Sequence, residues 1–422
     1  MKKILFLVCL CLTTVVVSAQ LITASTGLIP LSPASGSGVD YVFMFNSTTN
    51  PTAEITYNGT GTDVKWYKFT DTNHTAPAST QTSLSPDGDT GYTLYVDDKK
   101  VADIWVIDYK APTLSSITVA SPQPNECKTV DLNIVSAVSD LTYQNYAGKP
   151  FKIARNFELK YATLSWSGTA WVNNDTTITI TNSPSMPTFV TVKAPYKATT
   201  FTLSGDQFAE ELNLTKASVS VAYTPVAVIC HETSVVQTRD AKNENERPTT
   251  AKQVSGSAPL DMIFYSNPND PIVTFYNWEI FKDKSKTSLI GGRTDKTTPY
   301  TFNEPGSYVV KVTVSNDKAC SYSDSITVTV STSSIVAPNV FTPNGDGMND
   351  EFRVAYKSIL TFHCWVYNRW GRLVYEWTDP MKGWDGNING KEASPGPYYY
   401  VIKATGNDGQ KYKLKGDINL LR

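Results

Sequence analysis

A two-residue alternation recurring along the whole chain constrains this sequence more than any other feature. From Tyr308 to Val314 one face carries Tyr308, Val310, Val312 and Val314, with Lys311 and Thr313 opposite. Ile326, Val328 and Val330 repeat the pattern, as do Ile178 with Ile180, Val219 with Val221 and Tyr223, and Tyr398 with Tyr400 and Ile402. Period-two alternation marks half-buried strands, and no long stretch shows the three-to-four spacing of a helix. Asn58-Gly59, Asp87-Gly88 and Asn389-Gly390 supply tight turns between such strands. The chain therefore reads as all-β, a series of stacked β-sandwiches.

At 422 residues the chain exceeds what one core organises, and three or four domains of roughly 100 residues are expected. Pro and small polar residues interrupt the alternation near Ala111-Pro112, near Thr224-Pro225, and through Ser331-Thr332-Ser333-Ser334, a flexible linker composition. The expected modules are 20–112, 113–225, 226–332 and 333–422. Arg239 to Thr250, rich in mixed charge and asparagine, reads as a solvated loop.

Met1-Lys2-Lys3, an apolar run from Ile4 to Val17, and Val17-Ser18-Ala19 before Gln20 form the three regions of a secretory signal over 1–19. A lipoprotein signal is disfavoured, because Val8 and Leu10, not small residues, precede Cys9 and Cys11. No later run approaches the ~20 residues of a membrane span. An exported, soluble or surface-docked protein is expected. Removing the signal takes two of the six cysteines and leaves Cys127, Cys230, Cys320 and Cys364, with no C-x-x-C pair to suggest zinc or redox catalysis. Balanced charge, 37 basic against 39 acidic residues, offers no field for nucleic acid.

Ser257-Ala258-Pro259-Leu260, Tyr276-Asn277-Trp278-Glu279-Ile280 and the run from Pro305 to Val312 resemble the PKD-like, immunoglobulin-type modules of bacterial surface proteins over about 226–332. Trp278 and Tyr308 would supply the aromatic area that a small sandwich needs. Where the family often carries an Asp-Phe-Gly-Asp-Gly turn, this chain has Glu279-Ile280-Phe281-Lys282-Asp283. Cys230 opens this module and Cys320 precedes its last strand, so a Cys230–Cys320 disulfide is expected in an exported chain. Cys127 and Cys364 fall in other modules and are expected buried or free.

Four ordered motifs occupy the C-terminal segment: Asn339 to Asp350, Val366-Tyr367-Asn368-Arg369-Trp370-Gly371, Gly383-Trp384-Asp385-Gly386, and Pro395-Gly396-Pro397-Tyr398-Tyr399-Tyr400. Together they resemble the gliding-motility-associated C-terminal domain, the type B sorting domain of the type IX secretion system of Bacteroidetes, over about a fifth of the chain. The residues carrying that resemblance are Phe341, Thr342, Pro343, Asn344, Gly345, Asp346, Gly347, Asn349, Asp350, Asn368, Arg369, Trp370, Gly371, Trp384, Asp385, Gly386 and Tyr398. It implies recognition by the type IX machinery and by a cognate outer-membrane β-barrel partner, with delivery to the cell surface. Read without the family, the Asn-Gly and Asp-Gly pairs supply turns, and Phe341, Phe352, Trp370, Trp384 and Tyr400 supply a core. Asn344, Asp346, Asn349 and Asp350 also offer calcium-type oxygen ligands, but the spacing is not that of an EF-hand, and turn stabilisation is the preferred role.

In the first module, Trp66-Tyr67-Lys68-Phe69 and the run from Asp89 to Val96 suggest an immunoglobulin-like sandwich. In the second, Trp166 and Trp171 are read as core, with a sugar-stacking platform as the alternative. His74, His231 and His363 stand isolated, His74 in a turn that solvates it, and no catalytic motif is present. No catalytic residue and no cofactor are expected. A structural or adhesive surface protein ranks first, a carbohydrate-binding protein second and a hydrolase third, with a surface glycan or a host or neighbour protein as the partner.

Overall fold

The computed structural model describes residues 21–237 and 253–422, so the expected signal peptide and the Arg239 to Thr250 loop lie outside the described residues. Among these residues nearly every element is a strand, with one short helix, Gln207–Glu211. The all-β expectation is met, as tandem sandwiches each with its own apolar core.

In the first sandwich a five-stranded sheet runs in the order Ile29–Leu31, Tyr41–Phe45, Lys99–Asp108, Thr90–Val96, Val64–Lys68. It packs on a three-stranded sheet of Ile22–Ala24, Ile55–Tyr57 and Ser83–Leu84, around Phe43, Trp66, Tyr92 and Ile104. His74 is not simply solvated: its ring lies 4.7 Å from that of Tyr67 and 4.8 Å from that of Tyr95. The second sandwich opposes Phe189–Lys193, Thr129–Ala137 and Thr113–Val119 to Trp171–Asn182, Arg155–Trp166, Thr199–Gly205 and Ala217–Tyr223, in those orders.

The third opposes Thr233–Val236, Leu260–Tyr265 and Thr297–Phe302 to a five-stranded sheet ordered Gln253–Ser257, Ser321–Ser331, Gly306–Ser315, Phe275–Phe281, Leu289–Arg293. Tyr308, Val310, Val312 and Val314 all point into its core, as the alternation requires, and Trp278 is fully buried with its Nε1 donating to Asp295 O at 2.8 Å. The C-terminal sheet runs Val340–Phe341, Lys411–Leu420, Gly396–Gly406, Ile359–Tyr367, Leu373–Trp377. Tyrosines close these last two folds alike: Tyr308 donates to Glu304 O at 2.8 Å and Tyr398 to Ser394 O at 2.9 Å, each reaching four residues back.

The seams between sandwiches are built, not bare. At the first, Met44, Trp105 and Tyr109 share an apolar cluster with Leu141, Tyr143 and Phe208. Beside it Arg155 and Asp206, both fully buried, pair at 2.5 Å. Arg155 also donates to Ser139 O and Lys110 O, and Asp206 accepts from the Tyr109 hydroxyl at 2.9 Å. Such a pair persists only because its remaining valences are met; removing one partner from a buried pair typically costs about 3–5 kcal/mol.

The second seam overturns two expectations. Cys320 is bonded to Cys127, not to Cys230, which stays a buried free thiol, as does Cys364. The reason is placement: Cys230 lies in an extended segment bridged to Pro268, whereas Cys320 closes the Asn316–Cys320 turn that faces the second sandwich, where Cys127 packs against the third core. Trp166 and Trp171 are not core either. They cap the ends of a paired hairpin, their rings 5.2 Å apart, with Trp166 4.6 Å from His231 and Trp171 Nε1 donating to Asn267 O at 2.8 Å.

At the third seam the serine-rich stretch is pinned instead of flexible. Ser333 donates through its amide and its hydroxyl to the Asp408 carboxylate, at 2.7 Å each, and Tyr412 donates to its carbonyl at 2.6 Å. Ser358 adds a 2.6 Å hydrogen bond to Ser257 of the third sandwich.

Candidate functional site

The first C-terminal motif is a loop that folds onto its own carboxylates. Asp350 accepts from the amides of Asn344 (3.0 Å), Gly345 (2.7 Å) and Gly347 (2.8 Å), and the Gly345 and Gly347 amides hold its carboxyl below the usual range. Asp346 accepts from the Met348 amide at 2.7 Å, and Asn344 bonds back to Asp346. Asn349, Gly345 and Gly347 take positive φ, which Asn and Gly tolerate. The oxygens considered as calcium ligands are thus gathered in one loop, where Asp346 and Asp350 receive backbone N–H groups. Phe341, near the start of the motif, is buried 5.4 Å from the Trp384 ring.

The third motif is structural in every side chain. Trp384 is fully buried, its backbone exchanges hydrogen bonds with Phe352, and its Nε1 donates to Asn387 O at 2.8 Å. Asp385 accepts from the Asn387 amide and side chain. Gly386, at φ +76°, is tightly packed: a Cβ there would stand 3.1 Å from both Leu420 and Pro343, which would have to give by a few tenths of an ångström, and this contact ties the turn to the first motif. Arg422 donates to Ala393 O at 2.8 Å and to Gly386 O at 3.2 Å, closing the same corner. No local pattern in the sequence announces that closure.

The second motif differs. Asn368 Oδ1 accepts from the amides of Trp370 (3.1 Å) and Arg372 (3.0 Å), and Gly371 supplies φ +77°, so the turn joining Ile359–Tyr367 to Leu373–Trp377 is rigid. On that turn Trp370 is 74% exposed, with the Arg369 guanidinium stacked 4.1 Å from its ring centre. The expectation that Trp370 joins the core fails, because the turn carries it past the sheet's end. Asn368, Arg369 and Trp370 form one side of a cleft of about 340 Å3, and Pro395, Pro397 and Tyr398 of the fourth motif form the other. Hence the fold consumes Phe341, Trp384 and Tyr398 in the core and Asn368, Asp346, Asp350 and Asp385 in turns. Arg369 and Trp370 it turns outward, as an aromatic-cation pair of the kind that anchors protein interfaces.

Residues 335–420 match the family model described as CHU_C Type IX secretion signal domain. Residues 118–220 match the fibronectin type III domain, the module for which the sequence alone suggested no family. No curated protein matches. Solved structures similar to this chain include the tetra-tandem repeat in the extending region of a large adhesion protein, at 14% identity over 88% of this chain and 95% of that one, TM-score 0.24. Dimeric latent PorU from Porphyromonas gingivalis matches at 10% identity over 77% of this chain and 36% of that one, TM-score 0.16. Fibronectin(III)-like modules of CbhA from Clostridium thermocellum match at 11% identity over 45% and 93%, TM-score 0.17. At such TM-scores the whole chains do not superpose.

Proposed function

We propose that this chain is a secreted structural or adhesive protein of the cell surface, exported across the outer membrane by the type IX secretion system through residues 333–422. The observation that carries the reading is the match of residues 335–420 to a type IX secretion signal domain, in a fold that leaves Arg369 and Trp370 outward beside a cleft. The partners in this reading are the secretion machinery and an outer-membrane β-barrel that receives the Arg369–Trp370 turn. The sandwiches over 20–112, 113–225 and 226–332 are the cargo. Their apolar, ionic and disulfide seams suit a stiff spacer that holds contacts away from the membrane. The role is one of binding and display without catalysis.

Fractionation tests the reading. The chain lacking 333–422 is expected in the periplasm and the full chain on the surface or in the medium; equal surface delivery of both would refute it.

A further inference from the structure

The outward face of the C-terminal sheet carries a second feature, away from the four motifs. Three adjacent strands bring their outward-facing residues into cross-strand rows. Thr361 lies in register with Thr405, and Thr405 with Lys411; His363 with Lys403, and Lys403 with Lys413; Trp365 with Val401, and Val401 with Lys415. These positions alternate with Phe362, Cys364, Ile402 and Ala404, which are buried. The His363 and Trp365 rings stack at 3.7 Å along their strand, and the Lys403 ammonium sits 5.7 Å from the Trp365 ring centre. An open groove of about 640 Å3 runs over Thr361, His363, Trp365, Lys403, Lys411 and Lys413.

Positive charge outweighs negative on this face, where Asp417 follows the lysines on the outer side of Lys411–Leu420. Elsewhere lysines meet carboxylates, as Lys282 does Glu304 at 2.5 Å and Lys311 does Glu279 at 2.9 Å. Lys403, Lys411, Lys413 and Lys415 form no ion pair among the described residues, and Glu376 beside the groove lies 3.1 Å from His363. Lysines on Lys411–Leu420 also discourage stray strand pairing, since among the described residues that strand is joined on its far side only at Asn419 and Leu420. That role does not require Lys403 on an inner strand or an aromatic stack beside it.

We propose that this face binds an acidic polysaccharide, one whose sugar rings lie against Trp365 while their carboxylate groups meet Lys403, Lys411 and Lys413. Like-signed charges in a groove concentrate a polyanion there. The strand that carries Lys403, Gly396–Gly406, is paired on both sides, so recognition there falls to ring faces and ammonium groups, which suits a chain of acidic sugar rings better than an acidic peptide. The aromatic pair lies along a single strand, which suits a single chain better than a planar lipid headgroup layer.

The test uses the full chain with an oligogalacturonate, a neutral oligosaccharide of equal length, polyglutamate, and phosphatidylglycerol vesicles, read by calorimetry and tryptophan fluorescence. Oligogalacturonate is expected to bind and the neutral sugar not to bind, with affinity falling as salt rises. Lys403→Ala combined with Lys413→Ala is expected to weaken binding about tenfold, as is Trp365→Ala, whereas Trp365→Phe retains most of it. No binding of oligogalacturonate, equal binding of polyglutamate or of the vesicles, or an unchanged affinity in a folded Trp365→Ala variant would each overturn the proposal.

Discussion

Cys127 and Cys320 are joined across 193 residues at a Cα separation of 5.2 Å, so the bond ties the second sandwich to the third and closes neither. Closing so long a loop is worth roughly 5 kcal/mol on the chain-entropy model, and that stabilisation acts on the seam between two cores. Non-reducing peptide mapping is expected to recover Cys127 with Cys320, and Cys230 and Cys364 as thiols that react only after unfolding. Burial accounts for that inertness, raising the Cys230 thiol to about 12. Cys127→Ser should lower the thermal transition of the two linked sandwiches and hasten proteolysis between them. A recovered Cys230–Cys320 peptide would reverse this assignment.

Glu232 is expected to make the third sandwich sensitive to base. Burial, with the Asp324 charge as the lesser cause, raises its carboxyl to about 9, and its Oε1 has no hydrogen-bond partner among the described residues. His231 faces the same Asp324 at 3.5 Å. A carboxyl whose folded pKa exceeds its unfolded one near 4.5 binds more protons in the native state. Its stabilising effect is therefore complete below about pH 4.5 and is lost as pH climbs toward 9, at no more than about 1.4 kcal/mol per pH unit. Urea midpoints of the chain should fall across that window, and Glu232→Gln should flatten the slope. An equal slope in both proteins would remove Glu232 as its source.

Much of the architecture was legible because strand alternation is a local signal. Tyr308, Val310, Val312 and Val314 are buried as their spacing requires, and Trp278 and Trp384 are core as read. What escaped depends on partners distant in sequence. Trp370 and Trp384 sit in similar glycine-flanked motifs, and only the backbone pairing of Trp384 with Phe352 separates an inner tryptophan from an outer one. Ser333 has the composition of a linker, but Asp408, 75 residues on, fixes it. Cys320 found its partner in another sandwich because the packing of two modules, unlike the strands within one, leaves no periodic trace. The fibronectin-like module was obscured by Trp171–Asn182, a long strand exposed over much of its length.

Two glycines of the C-terminal domain should respond differently to substitution. Gly371 and Gly386 share a left-handed backbone, φ +77° and +76°, but a Cβ at Gly371 would meet open space. Gly371→Ala then carries mainly the backbone cost of about 1–2 kcal/mol. Gly386→Val adds overpacking against Leu420 and Pro343, for a total of about 2–4 kcal/mol. Denaturant titration of the C-terminal transition should separate them; equal losses would mean that the corner relaxes around the added side chain.

The decisive prediction concerns the pair that the C-terminal fold does not use. Arg369 and Trp370 stack on each other above a turn whose rigidity comes from Asn368 and Gly371, so removing both side chains leaves every core contact and turn hydrogen bond in place. Surface substitutions of that kind usually shift stability by no more than about 0.5 kcal/mol. Arg369→Ala with Trp370→Ala should therefore keep the melting temperature of the full chain, yet leave the protein in the periplasm if an outer-membrane partner grips this turn. Trp384→Ala provides the contrast, since emptying a fully buried site should cost about 3–5 kcal/mol and lower export through unfolding. Quantifying surface, medium and periplasmic fractions beside the melting curves distinguishes loss of recognition from loss of fold. Normal surface delivery of a stable Arg369→Ala, Trp370→Ala chain, with delivery still abolished by deleting 333–422, would move the recognition surface elsewhere on the domain. The cleft of about 480 Å3 beside Asp350, Glu351 and Arg353 would then be the next place to substitute.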